Sequence, residues 1–579
     1  MIILENNSQK SAIKISLITI IILGCFLIIL SRLIYLQVYA GEQFYQLSMN
    51  NFTRLKAVQS PRGNICDING NLLATNRPVK NIIWQGTGLR KLNQEQIETL
   101  HKIALITNLE IDENLLKKIQ IAERYEKELV LFEDINFIVL SKIEEQFASN
   151  PNIGVTNDFK RFYPQDKLAC HIIGYLGTMN INKIGKMGIE RIFEDSLKGK
   201  EGLNKSTINS LGKKISDTQV EKTQIGQTIV TTLDLEIQRI CEDSFEPNYA
   251  GSMIIMDPKT GAIRSLLSRP DFDPTIFLEP IPDKEWRNIL QNKPFINRAL
   301  NACYPPASIF KLVTVASGLE LGFIHAESHF KCTGHIIFGE RRYHCKNRTG
   351  HGILSIKQAM AHSCNILFYK LGQMISIDVL AEYAKKFGLG QKTGIIFPEN
   401  AGLIPNTEWK YRTRGEHWWT GETLSTSIGQ SYLLVTPIQI ARMICSLFEG
   451  YLVQPRILEQ EPIIKTPLNI RTETTDFLKD SMKKVVTTGT GIRVNNIKDL
   501  RIHAKTGTAQ TCSLPSNDQV SLITANLEHA WFVGNFNYKD EEPLTIVILV
   551  ENAGSTRIAI NIARKFLNQY RQLMAKKTN

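Results

Sequence analysis

The chain has 579 residues, with 68 lysines and arginines against 56 aspartates and glutamates, and a formal net charge of +12. At ~150 residues per domain, this length predicts roughly three or four folded units. Because 43% of the residues are hydrophobic and 21% are charged, the composition excludes wholesale disorder. The positive charge is spread along the sequence without a basic block or a nucleic-acid-binding motif, so we expect no nucleic-acid partner.

An apolar segment near the N-terminus, residues 15–38, carries a single charge at Arg32, which can snorkel to the membrane surface. A membrane span needs about 20 apolar residues, so the segment fits an anchor. Lys10 and Lys14 precede it and predict a cytoplasmic N-terminus with the rest of the chain exported. Cleavage as a secretory signal, or at Cys25 as in a lipoprotein, is the alternative. The apolar run continues past Cys25, which favours an uncleaved anchor.

Residues 39–85 and 155–225 have a strand-like pattern punctuated by glycine, and the stretch between them has a helical pattern. Asn93 followed by Gln96 is the sequence signature of a capping box, which predicts a helix after Asn93. Further helices of this insert are predicted at 112–119 and 135–147. After about Gly226 strands and helices are mixed.

The strongest chemical signal is Ser308 with Lys311, which follow Pro305 and Pro306. Proline is tolerated at a helix start, and the residues around Lys311 are apolar on nearly every side, so we predict a buried helix. Residues three apart lie on one helix face. Burial lowers the pKa of a lysine, and a neutral amine can take the proton of a hydroxyl, so Ser308 is the predicted nucleophile.

The Ser-x-x-Lys pattern alone is weak, because it also occurs elsewhere in the chain, at Ser11/Lys14, Ser210/Lys213 and Ser481/Lys484. For Ser481 we predict an exposed helix face. Only Ser308 combines a buried helix with a proline-led start. Two further motifs support it, Ser363-Cys364-Asn365 and Lys505-Thr506-Gly507-Thr508.

Lys-Thr-Gly also occurs at residues 259–261 and 392–394, where the preceding residues favour turns. We predict that the first of these joins the two strands of a hairpin. Lys505 instead follows a stretch without turn residues and is expected to open a strand, in which Gly507 would let a substrate backbone approach closely.

In this order and context, the three motifs resemble those of the penicilloyl-serine transferases, the penicillin-binding proteins and serine β-lactamases. Over about residues 40–570 the chain is more specifically similar to class B penicillin-binding proteins. The segments that carry this resemblance are Arg62–Ala74, Arg161–Pro164, Ala169–Gly177, Gly188–Glu190, Leu197–Gly202, Thr232–Gln238, Gly429–Gln430 and Thr436–Gln439. The context of Gly174–Gly177 and a cysteine cluster favour the elongation branch, that of penicillin-binding protein 2, with the division branch as the alternative.

The resemblance implies an α+β fold class: a single N-terminal transmembrane helix, a β-rich pedestal with a helical head insert, and a penicillin-binding transpeptidase fold. The last is expected to have a mostly antiparallel five-stranded sheet flanked by helices, beside an all-helical lobe. The implied domains are a cytoplasmic tail (1–14), the anchor (15–38), a non-catalytic pedestal or dimerisation domain (39–225, head insert about 86–155) and the transpeptidase domain (226–579).

The implied activity is D,D-transpeptidation of peptidoglycan during cell-wall elongation, through an acyl-serine intermediate that β-lactams also form. Lys311 takes the proton of Ser308, whose Oγ attacks the carbonyl of a D-Ala-D-Ala stem peptide. Ser363 relays a proton towards the leaving amine, and Asn365 binds the substrate amide. Backbone N–H groups of Ser308 and Thr508 form the oxyanion hole.

Lys505 is implied to hold Lys311 neutral and to attract the terminal carboxylate of the substrate, which the hydroxyls of Thr506 and Thr508 can also bind. The alternatives are a D,D-carboxypeptidase, a β-lactamase, a membrane β-lactam sensor and a scaffold with a degenerate site. The pedestal and anchor argue against a β-lactamase, and the short tail argues against a sensor. The intact motifs argue against a scaffold.

Cys332, Cys345, His351 and Cys364 follow one another in the order Cys-x12-Cys-x5-His-x12-Cys. Three thiolates and one imidazole make a closed tetrahedral zinc site of the structural type. Some members of the elongation-type family bind zinc here, with aspartate in place of cysteine. The alternatives are a Cys332–Cys345 disulfide, or His344 as a ligand in place of one of these four residues. We expect one structural zinc ion and no organic cofactor.

No glycosyltransferase signature is found in residues 40–225, so glycan polymerisation is expected to come from a partner, in this family a SEDS-type glycosyltransferase. The other expected partners are peptidoglycan stem peptides, the lipid-linked precursor glycan, the elongation complex, β-lactams as inhibitors, and the membrane. The implied location is the bacterial inner membrane, with the catalytic domain in the periplasm.

Overall fold

A computed structural model describes residues 2–179, 182–208, 214–279, 281–509 and 528–578. The α-helices are α1 Ile2–Ile34, α2 Gly41–Phe52, α3 Gln94–Thr107, α4 Glu113–Arg124, α5 Phe137–Phe147, α6 Cys170–Ile173, α7 Gly188–Ile192, α8 Glu194–Lys198, α9 Leu235–Ser244, α10 Asp283–Gln291, α11 Lys311–Glu320, α12 Ile356–His362, α13 Asn365–Met374, α14 Ile377–Lys386, α15 Thr407–Arg414, α16 Thr420–Ser427, α17 Pro437–Glu449, α18 Thr472–Thr487 and α19 Thr556–Thr578.

The β-strands are β1 Thr53–Val58, β2 Ile65–Cys66, β3 Leu72–Gln85, β4 Glu128–Phe132, β5 Ile153–Phe162, β6 Leu176–Met179, β7 Asn182–Gly185, β8 Gly202–Ile208, β9 Lys214–Glu221, β10 Ile229–Val230, β11 Gly251–Met256, β12 Ile263–Arg269, β13 His329–Cys332, β14 His335–Phe338, β15 Arg341–His344, β16 Gly352–Ser355, β17 Tyr451–Val453, β18 Lys465–Pro467, β19 Leu500–Ala509, β20 His529–Tyr538 and β21 Leu544–Val550. Short 3₁₀ helices cover Pro274–Leu278, Ala307–Ile309 and Ile492–Val494, and a π-helical turn covers Tyr35–Tyr39.

The chain forms two compact units. The first comprises Met1–Pro61, Arg77–Lys160 and Lys198–Gly226, and the second comprises Arg62–Asn76, Arg161–Leu197 and Gln227–Asn579. Arg62–Asn76 and Arg161–Leu197, which lie in the stretch assigned to the pedestal, belong to the second unit, and the last change of unit falls between Gly226 and Gln227.

The first unit begins with the apolar helix predicted as the anchor. Within Ala12–Tyr39 an 18-residue window has a mean hydropathy of 2.8, and 0% of that window is buried within the protein. The length and composition of this segment are those of a membrane span. Helix α1 starts at Ile2, so the predicted tail continues the same helix instead of preceding it as a separate segment.

The helical insert of the first unit has the predicted local signals. The Asn93 side chain accepts from the Gln96 N–H while the Gln96 side chain accepts from the Asn93 N–H, which completes the capping box of α3. Asp112 and Asn136 cap α4 and α5 in the same position. Apolar faces of the three helices pack on β3 and β4, where Trp84 is fully buried.

The second unit contains a five-stranded sheet in the order β12-β11-β21-β20-β19, with every pair antiparallel. The predicted turn at Lys259–Gly261 does join β11 to β12. Strand β20 alternates between two cores: Trp531 and Val533 face one, and Phe532 and Phe536 face the other, which α9 and α19 complete. The first core contains α11 to α14 and α17, so the α+β fold class with a helical lobe is confirmed.

Three segments that carry the family resemblance meet in the second unit at one buried carboxylate. Glu190 accepts from Arg62 Nε at 2.6 Å and from Arg161 Nε at 2.7 Å, and it is fully buried. Glu194 pairs with Arg62 as well, at 2.7 Å. A buried charge is tolerated only when it is paired and hydrogen-bonded, so each of these residues depends on the others.

Candidate active site

Ser308 lies in the 3₁₀ turn that leads into α11, and Lys311 is the first residue of that helix. Ala307 has a left-handed backbone with φ +48°, and its N–H donates to the Gly429 carbonyl at 2.9 Å. A Cβ at Gly429 would lie 2.0 Å from the Ala307 carbonyl oxygen, so only glycine fits there. Lys311 is fully buried and Ser308 is half-buried, as the apolar surroundings predicted.

Ser363 lies at the C-terminal end of α12 with a left-handed backbone, φ +53°, and Asn365 begins α13 two residues later. This sharp junction directs the hydroxyl of Ser363 to Ser308, with 2.9 Å between the two oxygens. The fold thus brings together the first two motifs, which are separated by the β13–β16 region in sequence.

Lys311 reaches the nucleophile through Ser363 rather than directly. Its Nζ donates to the Ser363 carbonyl oxygen at 2.9 Å, lies 3.2 Å from Ser363 Oγ, and donates to Asn365 Oδ1 at 2.7 Å. The other end of the Asn365 amide donates to the His344 carbonyl at 3.2 Å. Asn365, expected to contact substrate, therefore also positions Lys311.

Lys505 completes the cluster from the edge strand β19. Its Nζ lies 3.2 Å from Ser363 Oγ and donates to the Thr506 carbonyl at 2.9 Å. Burial lowers the pKa of Lys311 from 10.5 to about 7. Burial also lowers the pKa of Lys505 well below its usual value, and the positive charge of Lys311 adds to that effect. Two ammonium charges are therefore unfavourable in this space.

Side chains of β19 alternate between its two faces. Gly507 faces the turn of Ser308: a Cβ there would lie 3.3 Å from Ile309 Cγ1. The glycine thus allows close packing of protein against protein, whereas the sequence suggested close approach of substrate. The Thr506 hydroxyl is 2.7 Å from that of Thr490, and Thr508 remains partly exposed.

The candidate metal ligands are also together. One ligand atom each from Cys332, Cys345, His351 and Cys364 lies within 4.8 Å of all the others. His344 is not part of this group, and all described cysteines, including Cys332 and Cys345, are free thiols, so neither sequence alternative is supported.

Of the other Ser-x-x-Lys pairs named above, the structure describes both side chains only for Ser481 and Lys484, and these two form no comparable site. Ser210 and Lys213 lie outside the described residues. The prediction for Ser481 was wrong: it is fully buried, and its hydroxyl donates to the Phe477 carbonyl at 2.8 Å, because α18 packs that face on α12 and β19.

Three contacts of the site were not predicted. Thr490 bonds to Thr506, Trp531 Nε1 donates to the Pro305 carbonyl at 3.0 Å, and Gln430 Nε2 donates to the Thr508 carbonyl at 3.4 Å. Only Gln430 had a sequence signal, through the Gly429–Gln430 resemblance. Nothing in the local sequence distinguishes Thr490 or Trp531.

Comparison with known proteins agrees with this architecture. The penicillin binding protein transpeptidase domain matches residues 251–568, and the penicillin-binding protein dimerisation domain matches residues 57–231. The peptidoglycan D,D-transpeptidase MrdA of Acinetobacter baumannii is 30% identical, over 96% of this chain and 87% of its own length.

Two solved structures are similar over nearly their whole length. Penicillin-binding protein 2 of Helicobacter pylori, in its complex with MreC, has a TM-score of 0.76 and 25% identity, with 90% of this chain and 99% of that chain covered. A chain from a peptidoglycan synthase complex that coordinates polymerization and crosslinking has a TM-score of 0.74 and 27% identity, with 96% and 98% covered. The chain therefore belongs to the class B penicillin-binding proteins, among the relatives of penicillin-binding protein 2.

Proposed function

We propose that the chain is a peptidoglycan D,D-transpeptidase that cross-links stem peptides during cell-wall elongation, with Ser308 as its nucleophile. The observation that carries the proposal is the hydrogen-bonded chain from Ser308 through Ser363 to the buried amine of Lys311. The family membership and the MrdA relatives support the reaction and the elongation role.

One assignment of protons satisfies the hydrogen-bonding capacity of every group between Ser308 and Lys311. Neutral Lys311 uses its two N–H bonds on the Ser363 carbonyl and Asn365 Oδ1, which can only accept, and turns its lone pair to the Ser363 hydroxyl. Ser363 Oγ then accepts from Ser308 and Lys505. The proton of Ser308 passes to Ser363 Oγ as the Ser363 proton passes to Lys311. This relay replaces the direct transfer that the sequence suggested.

The alkoxide oxygen of Ser308 then bonds to the carbonyl carbon of the penultimate D-Ala. Ser308 lies in the 3₁₀ turn that leads into α11, and Thr508 lies on the edge strand β19. The first N–H groups of a helix and alternate N–H groups of an edge strand have no backbone partner. These N–H groups are suited to stabilise the oxyanion. Loss of one such donor costs roughly 100- to 1000-fold in rate.

Collapse of the tetrahedral intermediate breaks the peptide bond, and the proton held by Lys311 returns through Ser363 to the leaving D-Ala amine. An amine of a second stem peptide attacks the acyl-serine, forms the cross-link and returns a proton to Ser308. Lys505 has N–H capacity beyond its bonds to Thr506 and Ser363, and this suits it to the terminal carboxylate of the substrate.

The test is incubation of the full-length protein in non-ionic detergent with a thioester acyl donor and a D-amino acid acceptor. We expect acceptor-containing product to exceed the hydrolysed donor. Hydrolysis alone, at every acceptor concentration, would identify a carboxypeptidase. No turnover of the donor, with folding intact, would favour the sensor or scaffold alternatives.

We further propose that Cys332, Cys345, His351 and Cys364 hold one structural zinc ion. With Zn–S of about 2.3 Å and Zn–N of about 2.0 Å, a tetrahedral site has S–S edges of about 3.8 Å and S–N edges of about 3.5 Å. Cys345 Sγ is 3.8 Å from Cys364 Sγ, and His351 Nδ1 is 3.5 Å from the sulfurs of Cys332 and Cys345. The ligand atoms thus fit zinc. It would hold the loop of Ser363 in place, and four protein ligands leave it no chemical role.

Metal analysis of the purified chain is expected to give one zinc ion per molecule. Cys345→Ser is expected to lose the zinc and to lower the melting temperature by several degrees. Cys445→Ser is the matched control, because Cys445 is also buried but bonds to Thr545 outside the cluster. Folded wild-type protein without metal would refute the zinc assignment.

We also propose that the apolar helix anchors the protein in the bacterial inner membrane, with the N-terminus cytoplasmic and the second unit in the periplasm. Polymerisation of the lipid-linked glycan would fall to a SEDS-type glycosyltransferase in the elongation complex. The similarity to a chain of a peptidoglycan synthase complex supports this partnership.

A further inference from the structure

A strongly basic hairpin lies beside the candidate active site. Strands β14 and β15 pair antiparallel, and the segment 331–348, here called the cationic hairpin, contains them. Its five cations are all exposed: Lys331, Arg341, Arg342, Lys346 and Arg348. The segment has one carboxylate, Glu340. None of the five cations forms an ion pair with any residue that the structure describes.

The cationic hairpin is fixed to the catalytic residues. The His344 carbonyl accepts from Asn365 Nδ2 at 3.2 Å and from the Tyr369 hydroxyl at 3.5 Å, and the rings of Tyr343 and Tyr369 are 5.4 Å apart. Asn365 is the residue that holds Lys311. The backbone of the hairpin therefore has a defined position next to the site.

One cation of the hairpin acts on the catalytic groups. The positive charge of Lys346 contributes to lowering the pKa of both Lys311 and Lys505, although burial contributes more. Like-charged cations that have no acidic partner raise the electrostatic free energy of the folded protein, so a surface role alone does not account for them. Cysteines and apolar residues separate these cations along the chain, so they do not form a basic block in the sequence. The positive charge, which looked evenly spread there, is nevertheless concentrated in this segment.

We propose that the cationic hairpin attracts carboxylate-bearing donor stem peptides to Ser308 and favours them over peptides in which a side-chain carboxylate is replaced by a carboxamide. The inference rests on the proposed function. Charges that line the approach to a site raise the association rate of an oppositely charged substrate, and salt screens the effect. Exposed cations suit this role, since Lys505 is fully buried.

The test compares two thioester donors that differ only in one side-chain carboxylate or carboxamide. The second-order rate constant for acylation of Ser308 in the full-length protein is measured between low and high ionic strength. At low salt we expect the wild type to prefer the acidic donor by about tenfold, within the range of electrostatic steering, and to lose this preference at high salt.

Arg342→Gln combined with Arg348→Gln is expected to slow acylation by the acidic donor about three- to tenfold at low salt, and to slow the carboxamide donor, which has one negative charge fewer, by a smaller factor. Arg557→Gln with Arg564→Gln is the charge-matched control, since both arginines are exposed on α19, which packs on the sheet. An unchanged preference in the hairpin variant, or an equal loss for both donors, would overturn the inference. If neither donor acylated the wild type, the proposed function itself would fail.

Discussion

Replacing Ser308 by alanine is expected to abolish the covalent adduct that benzylpenicillin forms with the chain. The β-lactam carbonyl takes the place of the peptide carbonyl, so its ring opens on the same Oγ and leaves a stalled acyl-enzyme. Intact-protein mass spectrometry of the wild type should give one penicilloyl adduct per molecule. Among the residues that the structure describes, Ser308 carries the one hydroxyl that is bonded to the relay residue Ser363, so the mass of Ser308→Ala should not change.

Ser481→Ala is the matched control for this experiment. Ser481 belongs to a second Ser-x-x-Lys sequence and is buried, but its hydroxyl bonds only to the Phe477 carbonyl. Its removal should leave the adduct intact. An adduct that survives in Ser308→Ala would mean that another residue is acylated. Absence of adduct in the wild type, together with loss of penicillin from solution, would instead indicate a β-lactamase.

Replacing Lys311 by methionine is expected to slow acylation by about 10²- to 10⁴-fold, the usual contribution of a general base. The substitution keeps the apolar stem but removes the proton acceptor of the relay. With the pKa of Lys311 lowered to about 7, the amine is protonated below that pH and neutral above it. The wild-type acylation rate should therefore fall about tenfold per pH unit below pH 7 and level off above it.

In Lys311→Met this pH dependence should disappear together with the rate. The control is Lys484→Met, which removes the lysine of the Ser481 pair and should change neither the acylation rate nor its pH dependence. Stopped-flow measurement of acylation between pH 5 and pH 9 separates the cases. A wild-type inflection that persists in Lys311→Met would assign the titrating group to another residue.

Local signals in the sequence were sufficient for the helix starts of the head insert, whereas α2 lies in a stretch that was wrongly predicted to be strand-like. Asn93, Asp112 and Asn136 each cap the next helix through their own side chain, and such bonds depend on only a few neighbouring residues. Local signals could not predict the strand order of the five-stranded sheet, because β11 pairs with β21 from the far end of the chain. Periodicity has no information on such pairing, and only the family resemblance implied the sheet.

In the candidate active site, too, local signals predicted the residues but not the contacts that depend on tertiary structure. The motifs identified Ser308, Lys311, Ser363 and Lys505, which the structure brings into one hydrogen-bonded group. The relay through Ser363 depends on side-chain positions set by three separate elements, so spacing alone suggested direct transfer. Burial of Ser481 was missed for a related reason: its helix is amphipathic, and only tertiary packing decides which face is covered.

The left-handed backbones at Ala307 and Ser363 have a consequence for how this protein tolerates mutation. Such a conformation costs a residue with a Cβ of order 1 kcal/mol, which glycine would avoid. Ser363→Gly would thus relax the α12–α13 junction while deleting the hydroxyl of the relay. Variants selected only for thermal stability should accumulate there at the expense of turnover, so in this enzyme stability and activity are opposed at a single backbone angle.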